Sequence, residues 1–215
     1  MATRHLNRLT RLPAWLAAVV LFSIAGTAQA QAPNDVIAEA SQLLADQLAE
    51  RRDEFVADKA ALYAMVNDII LPRFDRRYAA QLVLGRNWRT ANDEQRAAFI
   101  DAFYNSLLRQ YADGVLEFDQ DRIKILPFRG DESKPRVTVK TTVRLNDGTQ
   151  VPVDYGLVRR DTGWMVFDVV IEGISYVRNF RAEVNSEIQS SSLDAVIARL
   201  ERSASGSDSQ EQNAE

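Results

Sequence analysis

Residues 136–157 read RVTVKTTVRLNDGTQVPVDYGL, and this stretch decides the fold. Val137, Val139, Thr141, Val143 and Leu145 alternate with Thr138, Lys140, Thr142 and Arg144, the two-residue period of a strand with one buried face. Asn146-Asp147-Gly148 is a hairpin signal, and Val151, Val153, Tyr155 and Leu157 alternate on the return strand. Downstream, Asp161-Thr162-Gly163 turns the chain into Trp164–Ile171; upstream, Ile123–Phe128 alternates in the same way. The pattern predicts about four antiparallel, half-buried strands.

Before Arg122 the period is close to 3.6. Val36, Ile37, Ala40, Leu43, Leu44 and Leu48 recur at three and four residues, as on an amphipathic helix. A second helix is expected to carry Phe55, Leu62, Met65, Val66, Ile69 and Ile70. It should stop at Leu71, because Pro72 disfavours helical backbone in its predecessor. A third spans about Asp75–Leu84 and ends at Gly85, a natural C-cap. The fourth starts at Asn92, with Gln95 placed to close a capping box, and lines Phe99, Ile100, Phe103, Leu107, Leu108 and Tyr111 on one face. Tyr176–Gln189 and Leu193–Arg202 read as two further helices. Residues 31–202 thus form one α+β domain, without internal repeats, and the polar tail 203–215 is expected to be disordered.

Composition narrows the chemistry. The 215 residues include no cysteine and one histidine, His5. Residues 1–30 carry Arg4, Arg8 and Arg11 and no acid, then an apolar run from Trp15 to Ala25 broken only by Ser23, and end Ala28-Gln29-Ala30. That is the pattern of a secretory signal peptide cleaved after Ala30. A membrane anchor would need about 20 predominantly apolar residues, and Gly26, Thr27, Gln29, Gln31, Pro33 and Asn34 interrupt the second half. Removal of the three arginines takes the formal net charge from −4 to −7. A mature chain of that kind has no Cys or His for nucleophilic catalysis, disulfides or zinc. Its acidity makes it a poor partner for nucleic acid, and the expectation is a soluble, exported monomer.

Several side-chain sets remain as candidates. The helices offer Leu82, Phe99, Phe103, Leu107 and Tyr111; the strands offer Val139, Val143, Val153, Tyr155, Met165, Phe167 and Val169. These fill a dry core or they line an apolar ligand cavity between layers; periodicity is the same for both. Asp168 and Glu172 share one segment, but four strand residues at about 3.3 Å each separate them by about 13 Å. That exceeds the roughly 5 Å between the carboxyls of a retaining glycosidase, so no acid/base pair emerges. Arg73, Arg76, Arg77, Arg86 and Arg89 cluster around the third helix, as a solvated face or as a cationic rim suited to phosphate groups or an acidic surface.

Two longer motifs carry a resemblance. The first is Leu71-Pro72-Arg73-Phe74-Asp75, followed by Leu82-Val83-Leu84-Gly85-Arg86-Asn87-Trp88-Arg89 and Asp93-Glu94-Gln95-Arg96 with Phe99, Ala102 and Phe103. The second is Val166-Phe167-Asp168-Val169-Val170-Ile171-Glu172-Gly173-Ile174-Ser175, continuing to Asn179-Phe180-Arg181. Over about Val36–Leu200 the chain resembles the MlaC (toluene-tolerance) family of periplasmic phospholipid-binding proteins. It departs from the family in having Asn92-Asp93 where Thr-Pro or Ser-Pro is usual. The resemblance implies a non-catalytic periplasmic carrier, without cofactor, that holds phospholipid acyl chains between sheet and helices. It also implies two docking partners: the MCE-domain subunit of an inner-membrane ABC transporter, and an outer-membrane lipoprotein–porin complex. On that reading the pocket walls are Leu82, Phe99, Phe103, Leu107, Tyr111, Val139, Val143, Val153, Tyr155, Met165 and Phe167, with Tyr78 or Arg77 nearer the mouth. The alternatives are a hopanoid-type cargo and an exported adaptor or chaperone with a filled core.

Overall fold

The computed structural model describes residues 31–206; the expected signal peptide and cleavage site at 1–30 lie outside them, as does 207–215. Helix α1 (Pro33–Ala57) opens with Pro33 at its first position and Asp35 reaching back to the Ala32 amide at 3.2 Å. It kinks at Arg51, then ends at Asp58, whose extended backbone and carboxylate cap helix α2 (Lys59–Ile70) through the amides of Ala60 and Ala61. Phe55 therefore belongs to the end of α1, not to the second helix as the periodicity suggests. A short 3-10 turn, Leu71–Arg73, follows Ile70.

Helix α3 (Arg76–Leu84) is capped by Asp75 and closes on Gly85 at φ +55. A four-residue turn, α4 (Asn87–Thr90), precedes α5 (Asp93–Tyr111), whose N-terminus carries the expected box: Asn92 Oδ1 accepts from the Gln95 amide at 2.8 Å, and Gln95 Oε1 from the Asn92 amide at 3.2 Å. Helices α6 (Tyr176–Ser190) and α7 (Leu193–Ser205) complete the helical layer. Helix α7 runs past Arg202 and ends in a left-handed cap at Gly206 (φ +77), so residues 203–205 are helical, not tail.

The sheet contains β1 (Ile123–Ile125), β2 (Arg136–Arg144), β3 (Gln150–Arg160), β4 (Gly163–Ile171) and β5 (Ile174–Ser175), antiparallel in sequential order. The expected first strand is shorter than Ile123–Phe128. A fifth strand arises because Glu172 (φ +50) and Gly173 (φ +82) make a two-residue turn with both central residues left-handed, which folds Ile174 back onto Ile171. One irregularity matters for the site. Leu157 pairs with Val166 and Gly156 with Asp168, so Phe167 is an extra residue bulged out of β4.

The apolar side chains form three dry clusters. Phe99 and Phe103 of α5 stack at 5.6 Å and pack with Val83 and Leu84 of α3, Val184 of α6 and Val196 and Leu200 of α7. Leu48 and Phe55 of α1 pack with Leu62, Met65 and Val66 of α2. The N-terminal turn of α1 lays Val36 and Ile37 over Val139, Leu157 and Trp164 of the sheet. A domain of this size usually has one contiguous core. Here the three clusters meet around a gap.

Candidate functional site

The gap is an open cavity of about 410 Å³, within the range of small-molecule pockets. One wall is α1, through Val36, Ile37, Ala40 and Leu44, backed by Val66 and Ile70 of α2. Opposite it stand Phe103, Tyr104, Leu107, Leu108 and Tyr111 of α5, with Val115 beyond the helix end. The floor is Tyr155 of β3 and the Val166–Val169 run of β4 with Ile171, and α6 closes the side with Tyr176, Val177 and Phe180. An ordinary strand presents every second residue to a face. The bulge at Phe167 is what lets successive residues of β4 reach the cavity.

Two lining residues carry charge, Arg73 and Asp168. Asp168 is occupied: Ser175 Oγ donates to one carboxylate oxygen at 2.7 Å and the Val177 amide to the other at 3.0 Å, fixing the start of α6. Arg73 donates to the Ile69 carbonyl at 2.8 Å, and its guanidinium stands 3.8 Å from Glu39. The segment carrying Arg73 and Phe74 is pinned to the floor, because the Asp75 amide donates to the Val166 carbonyl at 2.8 Å while the Asp75 carboxylate accepts from Arg160 at 2.6 Å. Burial pushes the phenols of Tyr104 and Tyr155 up from the ordinary tyrosine value, partly offset at Tyr104 by Arg76 and at Tyr155 by Thr141. At the other end, burial, Tyr176 and then the charge of Glu183 push Tyr111 up. Among the described residues no group of three His, Cys, Asp or Glu is placed to hold a metal ion.

Of the residues picked from sequence, Phe103, Leu107, Tyr111, Tyr155 and Phe167 line this cavity. The others lie elsewhere, each for a visible reason. Phe99, one turn before Phe103, is sealed in the helical cluster, and Val139 is covered by α1. Leu82 is half-buried outside the cavity, beside Val83 and Leu84, which take the inward face of α3. Val143 pairs with Ile123 near the distal hairpin, and Val153 is buried opposite Ile171 but off the lining. Met165 falls out because the bulge breaks the alternation that would have matched it to Phe167; it lies in a shallow cleft with Asp75, Arg160 and Thr162. Tyr78 sits behind Phe167, edge-on at 5.1 Å, under the Arg160 guanidinium. Sequence reasoning missed the α1 wall and α6. Val36, Ile37, Ala40 and Leu44 were legible as an apolar helix face, but nothing local says which layer that face meets.

An open, mostly apolar cavity between a helical layer and an antiparallel sheet, with its carboxylate tied into a helix start, defines an α+β protein with a pocket of small-molecule size. The chain belongs to the MlaC family: the family model, described as MlaC protein, matches residues 38–202. The toluene tolerance protein Ttg2D of Pseudomonas putida is 28% identical over 180 residues, covering 83% of this chain and 81% of that one. The intermembrane phospholipid transport system binding protein MlaC of Haemophilus influenzae is 21% identical over 188 residues, covering 86% and 88%. In fold, the chain superposes with a TM-score of 0.71 on a phospholipid-binding protein from Ralstonia solanacearum solved in complex with a phospholipid; the match is 23% identical and covers 80% of this chain and 96% of that one. No helix of the described residues is long and apolar enough to cross a membrane.

Proposed function

We propose that this protein is a periplasmic phospholipid carrier that shields acyl chains in the cavity while moving lipid between the outer and inner membranes. It acts as the soluble component of an ABC-type transport system and docks on its inner-membrane MCE-domain subunit and on an outer-membrane lipoprotein–porin complex. It binds cargo and has no catalytic activity. The observation that carries the reading is the cavity itself, apolar on four sides and formed where three dry clusters fail to merge. Family membership and the phospholipid named for the Ralstonia neighbour support it.

The energetics suit a shuttle. Burying about 30 methylenes at about 0.8 kcal/mol each is worth ~24 kcal/mol against water, beyond the ceiling of about 18–21 kcal/mol for noncovalent affinity. The tails, however, leave a bilayer that already shelters them. Only the difference between membrane and cavity counts, so an apolar cavity transfers lipid without any chemical step. Native mass spectrometry of protein purified from cells is the test. The expected mass is that of protein plus phospholipid, with the same lipid in an organic extract; lipid-free protein alone contradicts the proposal.

A further inference from the structure

The arginines that cluster around the third helix in sequence divide in the fold. Arg73 lies at the cavity wall, and Arg76 pairs with Asp101 at 3.0 Å. Arg77, Arg86 and Arg89 are exposed and form no ion pair among the described residues. Helix α6 adds two more. Asn185 of α6 donates to the Val83 carbonyl at 3.0 Å and accepts from the Asn87 amide group at 2.7 Å, which ties α6 to the α3–α4 junction. The Arg181 guanidinium thereby stands over Gly85, 3.0 Å from where a Cβ on that residue would lie. Arg178, one turn earlier on α6, is exposed like Arg181, and neither forms an ion pair among the described residues. Arg77 lies over the Trp88 ring at 5.4 Å, and Trp88 sits in the turn between Arg86 and Arg89. Nearby acids are engaged elsewhere: Asp93 with Arg96 at 2.8 Å and Glu183 with Arg199 at 3.6 Å.

Arg77, Arg86, Arg89, Arg178 and Arg181 thus form one cationic face on a chain whose formal net charge is −4. The fold gains nothing from it, since like charges one turn apart, such as Arg178 and Arg181, destabilise a helix. Guanidinium forks match phosphate oxygens, and clusters of about 4–8 basic residues hold proteins on anionic lipid. The surroundings favour a bilayer over an acidic protein as the occupant. A specific protein interface centres on buried apolar or aromatic anchors. The strongly exposed large apolar residues, Leu43, Val56, Tyr111, Leu145 and Ile174, all lie outside α3, α4 and α6. Within the patch stands the half-buried Trp88, whose indole suits the head-group layer.

We propose that this five-arginine face docks the protein on the phosphates of an anionic bilayer. Helix α6 links the face to the cavity, because Val177 and Phe180 line the cavity while Arg178 and Arg181 are exposed. A surface-bound molecule then has its cavity about one helix diameter, 10–12 Å, from the lipid phosphates.

The test measures co-sedimentation of the full mature protein with vesicles of phosphatidylcholine, with and without phosphatidylglycerol. Wild type should bind only the vesicles that contain phosphatidylglycerol. It should come off at about 1 M salt, where the screening length falls to about 3 Å. Arg86→Gln/Arg89→Gln/Arg178→Gln should lower the partition coefficient roughly 100-fold, at about 1 kcal/mol per arginine. Arg129→Gln/Lys140→Gln/Arg144→Gln removes as much charge from exposed positions on or beside β2 and should leave binding near the wild-type value. Circular dichroism checks that both variants fold. Equal weakening in the two variants overturns the docking face, as does wild type that ignores phosphatidylglycerol; the patch would then be left to an acidic protein surface. Native mass spectrometry of the same samples keeps the carrier reading separate: patch-dependent vesicle binding without lipid uptake supports the docking face and contradicts the carrier.

Discussion

Val169 and Met165 stand four residues apart on β4, and an unbroken strand would place both on one face. The bulge at Phe167 separates them: Val169 lines the cavity and Met165 the open cleft outside it. Val169→Trp should therefore fill the void and lower bound lipid several-fold, whereas Met165→Trp should leave the load at the wild-type level. Native mass spectrometry alongside thermal unfolding checks both; equal loss of lipid in the two variants would contradict the floor described here. Tyr155 gives a second handle. Burial raises its phenol above the ordinary value, so the folded state favours the neutral form. Its contribution is complete below about pH 10, where the unfolded tyrosine is still protonated, and is lost as pH rises through the higher folded value. Tyr155→Phe should lose less of its urea midpoint than wild type between about pH 9 and pH 11, and parallel losses in both proteins would contradict this. These residues also mark the limit of sequence reading. Trp164, Val166 and Val169 are apolar in one phase or the other, as are Met165 and Phe167, so alternation alone carries no sign of an inserted residue.

Elements were more legible than contacts. The Asn92–Gln95 box, the Gly85 stop and the Asn146-Asp147-Gly148 hairpin depend on neighbours within a few residues, and each has its expected structure. Asn92→Ala should cost about 1 kcal/mol, lowering the thermal midpoint by about 2–4 °C in a chain of this size; no shift would mean that the cap contributes little to α5. The misplacement of Phe55 and the missed strand β5 have local causes that are weak in sequence. Asp58 is an unremarkable break between two helical patterns until its carboxylate is seen to bond two amides. The β4–β5 turn places Glu172 at φ +50, where asparagine or glycine would have announced it.

At the scale of the molecule, the fold class followed from the change of period near Arg122, but the cavity did not. Periodicity reports which face of each element is apolar; it does not report whether three such faces meet or stand apart. The walls come from α1, α5, α6 and β4, segments up to about 140 residues apart in sequence. The central claim is that this space, and no surface patch, holds acyl chains. A phospholipid carrying a diazirine in its acyl chain, photolysed on the loaded protein and mapped by peptide mass spectrometry, tests it most directly. The account predicts adducts on lining residues such as Leu107, Val169 and Phe180. Adducts confined to the exposed apolar side chains Leu43, Val56, Leu145 and Ile174 would contradict it.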